Sequence, residues 1–509
     1  MKKIWKEWKS VIILGTLIVA VALFLRIYNL TKLPVFADEA IYIRWAQVMR
    51  AEAGLRFLPL SDGKQPLFMW SMIPLFKLFN DPLFAGRFLS VVTGIVTLLG
   101  VFSLTLILFG SKKKALLASF IYVIIPFAVF FDRMALVDSM LSMFGIWTLI
   151  FGILTAKTLR LDFAMLTGFA LGGALLTKSP ALFFVLLLPS CWLMSSWVNG
   201  KKQVLGDLLK LFLLISVTYI IAYGMFNILR LGPNFQMLTM RNYDYVYPYS
   251  HILKEPFNPL TAHLKDISDW LMRLGPGVII IMAAIGIYQA FKNYKLQLLL
   301  LSCWFLIPII AQAEYAKVFT ARYILFTIPY LTIFAANLWD FKKNILKIIN
   351  YLVFAVFVIW SLYQNVLFAT NPEKALLPRS ERSGYLEEWT AGTGIKEVAS
   401  YLREEQNINP QLEIVVGTEG SFGTLPDGLQ IYLNDLPKII VKGVGVPIKE
   451  VDKSLIESKK FGNKTYLLVN NTRLLIPDPK SKGLELIAIY PKAVQPDGFR
   501  ETLLFFELK

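Results

Sequence analysis

The chain has 509 residues, 56% hydrophobic and 17% charged, with a mean hydropathy of +0.56, whereas a soluble domain sits nearer half apolar and a quarter charged. This excludes a soluble enzyme throughout, and two Cys (Cys191, Cys303) with two His (His251, His263) exclude a disulfide framework, a Cys-rich zinc site and a His-cluster metal centre. The formal charge of +17 reads as the cytoplasmic loops of a membrane protein, with no nucleic-acid partner implied.

A spanning helix needs about 20 mainly apolar residues, and the chain offers about eleven candidates: 11–30, 83–109, 115–131, 138–156, 163–177, 180–198, 206–230, 270–291, 296–313, 322–339 and 345–368. The first follows a basic stretch (Lys2, Lys3, Lys6, Lys9), as a signal peptide would. Its apolar run is long and lacks a small-residue cleavage site, so it reads as an uncleaved span. Starting it in the cytoplasm puts Lys112 to Lys114, Lys157 with Arg160, Lys201 with Lys202, Lys292 with Lys295, and Lys342 with Lys343 on the cytoplasmic side. Each short basic loop then obeys the positive-inside rule, and an odd number of spans leaves the tail outside.

Two extracytoplasmic loops are long, 31–82 and 231–269. The first holds an amphipathic stretch, Glu39 to Arg56, and an apolar run, Pro66 to Phe79, too short to span; both read as interfacial helices. The second holds Tyr243, Tyr245, Tyr247 and Tyr249, followed by His251, which suits either sugar stacking or an aromatic belt at the lipid interface.

From about Asn371 the apolar runs stop. A helical pattern over Ile395 to Glu405 precedes β-type runs at Glu413 to Gly417, Leu429 to Leu433, Lys438 to Val441, Thr465 to Val469, Glu485 to Tyr490 and Leu503 to Leu508. The fold expected is therefore an α-helical polytopic membrane domain, residues 1–370, with an extracytoplasmic α/β domain, residues 371–509. Gly417, Gly420 and Gly423 lack the spacing of a phosphate-binding fingerprint.

Ionisable groups are costly in hydrocarbon, so their depth is informative. Here they collect at the predicted outer ends of helices: Asp38 and Glu39 after the first span, Lys64 later in that loop, Asp132, Arg133 and Asp138 around the turn between the third and fourth. Lys178 lies between the fifth and sixth spans, and Arg322 with Tyr323 opens the tenth. Taken singly, the carboxylates could complement a helix dipole, the cations could be snorkelling anchors, and Arg133 with Asp138 could be a local ion pair. Together they share one depth, which makes a site.

These positions also carry a family resemblance. Val35-Phe36-Ala37-Asp38-Glu39-Ala40-Ile41-Tyr42 resembles the first-loop acidic motif of the membrane glycosyltransferases with the GT-C fold, the superfamily of protein O-mannosyltransferases and the lipid A aminoarabinose transferase. Asp62-Gly63-Lys64-Gln65-Pro66-Leu67 resembles its Lys-Pro-Pro-Leu element, with Gln65 for the first Pro. Arg133-Met134-Ala135-Leu136-Val137-Asp138 resembles the second acidic motif, and Leu176-Thr177-Lys178-Ser179-Pro180 the Leu-Thr-Lys-Gly-Pro turn, with Ser179 for Gly. Arg322-Tyr323-Ile324-Leu325 is similar to the Arg-Tyr element of a late helix. The likeness covers about residues 1–340; the tail matches loosely.

The resemblance implies a plasma-membrane, multi-pass enzyme with a cytoplasmic N-terminus. It would move a sugar from a polyprenyl-phosphate donor to a lipid, glycan or protein acceptor at the outer face, by inverting displacement. Asp38 is then the expected base, assisted by Glu39, and Lys64, Arg133, Asp138, Lys178, Arg322 and Tyr323 bind the donor phosphate. No cofactor is demanded; a divalent cation, if used, would be a hard ion on carboxylates. The competing classes are a transporter or flippase of lipid-linked glycans, which would carry charge at mid-helix depth, and a scaffold, which leaves the motifs unexplained.

Overall fold

A computed structural model describes residues 2–195, 204–338 and 344–509. Lys201, Lys202, Lys342 and Lys343, assigned above to cytoplasmic loops, lie outside the described residues, as do the side chains of Lys2, Lys3 and Lys6.

The chain opens with α1 (Lys2–Ile27), and its first long loop folds as α2 (Ala37–Ala51) and α3 (Leu67–Met72). Then follow α4 (Pro82–Phe109), α5 (Lys112–Ile124), α6 (Pro126–Phe131), α7 (Val137–Thr158), α8 (Leu161–Thr177), α9 (Leu182–Leu187) and α10 (Val204–Phe226). The second long loop carries α11 (Met237–Met240), α12 (Asn242–Tyr245) and α13 (Tyr249–Lys254). After it come α14 (Leu260–Arg273), α15 (Val278–Ala290), α16 (Lys295–Tyr315), α17 (Ile328–Ala335) and α18 (Asn344–Thr370).

Each of the eleven apolar segments carries helix, but the expected count of eleven spans is not confirmed. Among the described residues six helices are long and apolar enough to cross a membrane, or seven if α14 and α15, bent by 96°, count as one. The shortfall has local causes. A proline has no N–H and its ring obstructs the preceding turn. Pro126 accordingly divides the 115–131 segment into α5 and α6, and Pro180 and Pro189 divide the described part of the 180–198 segment, residues 180–195, into short turns around α9. Gly172 and Gly173 break nothing: they lie inside α8, where an added Cβ would meet Met225 Sδ at 2.5 Å and Phe144 Cε1 at 2.4 Å. They permit close approach to α10 and α7, the usual use of small residues between membrane helices.

After α18 come α19 (Arg379–Arg382), α20 (Ile395–Ile408), α21 (Thr424–Leu433) and α22 (Lys453–Lys460), and five strands, β1 (Ile414–Thr418), β2 (Ile439–Gly443), β3 (Lys464–Asn470), β4 (Leu484–Pro491) and β5 (Thr502–Leu508). They form one sheet in the order β2-β1-β3-β5-β4. β1 runs parallel to β2 and β3, whereas β5 is antiparallel to β3 and β4. The 429–433 run expected as a strand is instead the end of α21. Leu425, Leu429 and Leu433, four residues apart, are all buried, and that is the helical period.

The α2 helix also differs from expectation. In place of an apolar face turned to lipid, Ile43, Trp45, Ala46 and Met49 are buried and the helix packs against α21, α3 and α4. The loop before it is tied to the tail by backbone bonds: Ala37 N–H donates to Thr390 O (3.1 Å) and Gly392 N–H to Val35 O (2.8 Å), beside an antiparallel bridge between Phe36 and Ala391. Gly392 is needed here, because a Cβ would sit 2.5 Å from Val35 O.

Candidate active site

A cavity of about 240 Å³ lies where the predicted outer helix ends meet, lined among others by Asp38, Tyr42, Lys64, Gln65, Asp138, Lys178, Tyr245, Arg322 and Tyr323. Six of the eight expected site residues therefore line one space, from chain positions up to 285 residues apart.

Asp38 sits in the first turn of α2, where the helix dipole favours a carboxylate. Its Oδ2 accepts from Arg322 Nη2 at 2.6 Å, with the side chains 24% and 13% exposed. Burial pushes the Asp38 carboxyl up, but Arg322, Lys64 and Lys178 together outweigh it and hold it below the usual aspartate value. Asp138, in the first turn of α7, accepts from Lys178 Nζ at 2.5 Å. Lys178 follows α8 in extended backbone, and its ammonium lies 4.0 Å from the centre of the Tyr323 ring. Burial holds Lys178 below the usual lysine value, with Arg322 and Lys64 adding to the shift and Asp138 opposing it.

Lys64 is the least committed cation. Its nearest carboxylate, Asp62, is 3.6 Å away and is shared with Arg241 at 2.8 Å. Tyr245 closes this side, 5.3 Å from Lys64 Nζ to the ring centre. Burial disfavours the Lys64 charge, but Tyr42, Asp38, Tyr245 and Asp62 more than offset it and raise its pKa. The lining thus holds three cations, Lys64, Lys178 and Arg322, against two carboxylates, Asp38 and Asp138. One positive charge is left in excess in a largely enclosed space, where it acts far more strongly than in water.

Two expected site residues are not in the cavity. Glu39 is fully buried and faces away from it: its carboxylate accepts from Arg87 Nε (2.8 Å) and Nη2 (2.7 Å), Phe36 N–H (3.0 Å) and Ala135 N–H (2.6 Å). Arg87 in turn donates to Leu30 O, Leu33 O and Pro34 O. This knot fixes the Asp38 loop to α4 and to the turn before Asp138, which places Glu39 in the packing that positions that loop and outside the cavity. Arg133 caps the end of α1, donating to Leu25 O (2.8 Å), Tyr28 O (2.9 Å) and Asn29 O (3.0 Å). It satisfies the orphan carbonyls of a helix C-terminus and makes no pair with Asp138, whose partner is Lys178.

Sequence reading missed Arg87, Tyr42 and Glu381, and of the four clustered tyrosines it could not single out Tyr245. Glu381, beyond the last span, accepts from Ala321 N–H at 2.9 Å and so holds the turn that presents Arg322. Arg87 had a signal: an arginine near the start of a long apolar helix requires a partner. The two departures from the family pattern touch each other, Gln65 Nε2 donating to Ser179 Oγ at 2.9 Å. No three His, Cys, Asp or Glu side chains converge to hold a metal ion among the described residues, and Asp38 and Asp138 are each engaged by a cation.

Across 96% of this chain and 97% of the other, the structure aligns with crystal structures of ArnT from Cupriavidus metallidurans. The apo form gives a TM-score of 0.56 at 15% identity, and the form bound to undecaprenyl phosphate gives 0.57 at 16%. The chain is a membrane protein with the GT-C fold. Residues 63–221 match the profile of the dolichyl-phosphate-mannose-protein mannosyltransferase family, a stretch that includes Lys64, Asp138 and Lys178. A search among curated proteins gave no match.

Proposed function

We propose that the protein is a membrane glycosyltransferase that transfers a sugar from a polyprenyl-phosphate donor to an acceptor hydroxyl at the extracytoplasmic face. The observation that carries this reading is the convergence of Asp38, Lys64, Lys178 and Arg322 on one cavity with a single excess positive charge. A polyprenyl-phosphate sugar is a phosphodiester with one negative charge, so it neutralises the cavity. The undecaprenyl phosphate held by the Cupriavidus ArnT is a ligand of the same class.

The residues suit the charge changes of the reaction. The acceptor oxygen attacks the anomeric carbon while the bond from that carbon to the phosphate oxygen breaks, its electron pair remaining on the phosphate. Lys64, Lys178 and Arg322 stabilise the second negative charge that develops there, Arg322 by paired N–H donors and the lysines as point charges. The acceptor proton passes to Asp38. A donor phosphate that draws Arg322 toward itself weakens the Arg322–Asp38 bond, and Asp38 becomes more basic only once donor is bound. Attack opposite the phosphate inverts the anomeric centre. Asp138 holds the Lys178 ammonium in place. The Asp38 loop and residues from about 371 onward, packed together, form the outer face in this reading, with the N-terminus cytoplasmic and the tail a separate domain.

Incubation of the purified protein in proteoliposomes with a radiolabelled polyprenyl-phosphate sugar and envelope extract as acceptor tests the proposal. Free polyprenyl phosphate and labelled acceptor are expected. Intact donor moved across the bilayer without cleavage would make the protein a flippase instead.

A further inference from the structure

A hollow of about 410 Å³ lies on the apolar surface of the membrane domain, between α1, α4 and α5. It runs from Trp8 to Val19 along α1, and Leu98 and Phe102 of α4 and Leu116 of α5 form its other walls. Gly15 lies in the α1 wall, and a Cβ added there would meet no atom within 4 Å, so this wall is notched. Of the six long apolar helices described, α1 is the least enclosed, with 17% of its apolar window buried in the protein. In a membrane its remaining surface meets lipid chains.

The hollow is one leaflet deep. Trp8 and Val19 are eleven residues apart, about 16 Å along the helix and about half of a hydrocarbon core of roughly 30 Å. Leu98 likewise stands eleven residues from the end of α4 at Phe109, so both walls close near mid-membrane. The hollow belongs to the leaflet away from the reaction cavity, because the opposite end of α4, at Arg87, is the one that holds the Asp38 loop.

Cations stand at its mouth. The Lys112 ammonium lies 4.1 Å from the centre of the Trp8 ring and donates to Glu7 O at 3.2 Å, which engages one of its three N–H groups. Lys9, beside Trp8, and Lys113, beside Lys112, are exposed, as is Glu7. None of the three lysines pairs with a carboxylate among the described residues. The positive-inside bias accounts for lysines at this level but not for the slot beneath them. Chain packing alone selects no lipid, since one hydrocarbon tail packs much like another, whereas headgroup charge does.

We infer that this hollow binds an anionic phospholipid from the leaflet away from the reaction cavity, with one acyl chain in the slot and the headgroup at Lys9, Lys112 and Lys113. A polyprenyl chain is too long for it and would have to continue past the closure at Val19 and Leu98. The inference requires only that α1 lie in a membrane, and it holds whether or not the protein transfers sugar.

Trp8 serves as the reporter. The full chain is placed in phosphatidylcholine nanodiscs with increasing fractions of phosphatidylglycerol brominated on its chains, and the part of the tryptophan fluorescence that Trp8→Phe removes is followed. Half-quenching is expected at a mole fraction at least tenfold lower for brominated phosphatidylglycerol than for brominated phosphatidylcholine. Lys112→Gln should reduce that preference about fivefold, the worth of one lysine near an anionic surface. Gly15→Phe, which fills the notch from an open position, should abolish it. Equal quenching of wild type by the two lipids, as unselective surrounding lipid gives, overturns the inference, as does a preference unchanged in both variants. Displacement of the brominated phosphatidylglycerol by an equal fraction of polyprenyl phosphate also overturns it and gives the hollow to the donor lipid.

Discussion

Replacing Glu39 by Gln is expected to damage folding before it damages chemistry. Glu39 is fully buried and accepts four hydrogen bonds, two from the fully buried Arg87 and one each from Phe36 and Ala135. A glutamine offers one carbonyl oxygen in place of two carboxylate oxygens. Its amide therefore faces either Arg87 Nε and the Ala135 N–H or Arg87 Nη2 and the Phe36 N–H, and the guanidinium loses its counter-charge. Breaking a buried pair by removing one partner costs about 3–5 kcal/mol, and the leftover donors belong to that same cost. Reversible unfolding in a denaturing detergent, followed by tryptophan fluorescence, should show a loss of this size for Glu39→Gln. Asp38→Asn, partly exposed and outside the knot, should lose less, namely its single ion pair with Arg322. A Glu39→Gln protein as stable as wild type yet inactive would refute the positioning role and return Glu39 to the chemistry.

Other consequences follow from the same geometry. Asp38→Asn is expected to reduce sugar transfer by at least 10²-fold, the low end for a positioned base, with donor binding retained; near-normal turnover would remove Asp38 from the base role. Lys178→Ala should weaken donor binding roughly tenfold, the order of one charge-assisted bond, as measured by titration with a fluorescent polyprenyl phosphate. Unchanged affinity would make Lys178 an anchor. In the free enzyme the acid limb of kcat/KM should fall below the ordinary aspartate value of 3.8, because Asp38 is held down. The Asp38–Arg322 pair then adds stability that is complete above that value and disappears as pH drops through the lowered one. A limb at neutral pH would name another base. Gln65→Ala and Ser179→Ala should couple by about 0.5–1.5 kcal/mol in a double-mutant cycle of stability, the worth of one hydrogen bond; strict additivity would deny the contact.

Much of the site was legible because charge in a hydrophobic chain is sparse and its depth is fixed by the helix ends, so Asp38, Lys64, Asp138, Lys178, Arg322 and Tyr323 could be grouped without coordinates. What sequence does not supply is azimuth. Asp38 and Glu39 are neighbours, yet successive residues on a helix point about 100° apart, enough to send one carboxylate into the cavity and the other into the core. Arg133 was misplaced for a similar reason: it lies in the expected turn, but the nearest unpaired groups are the last carbonyls of α1, contributed by residues over a hundred positions earlier. In the tail, the strands were read from their β-branched and aromatic runs. The error at 429–433 came from weighing five residues alone, when Leu425 belongs to the same helical stripe. The role of Glu381 left no local trace, since its partner is a backbone N–H sixty residues away.

The most direct measurement is a structure of the protein with polyprenyl phosphate bound. The account predicts the phosphate inside the 240 Å³ cavity, with Lys64, Lys178 and Arg322 at charge-assisted distances of about 2.7–2.9 Å and Asp38 facing the position the sugar would take. A phosphate held elsewhere, with those three cations still paired only to protein, would contradict it.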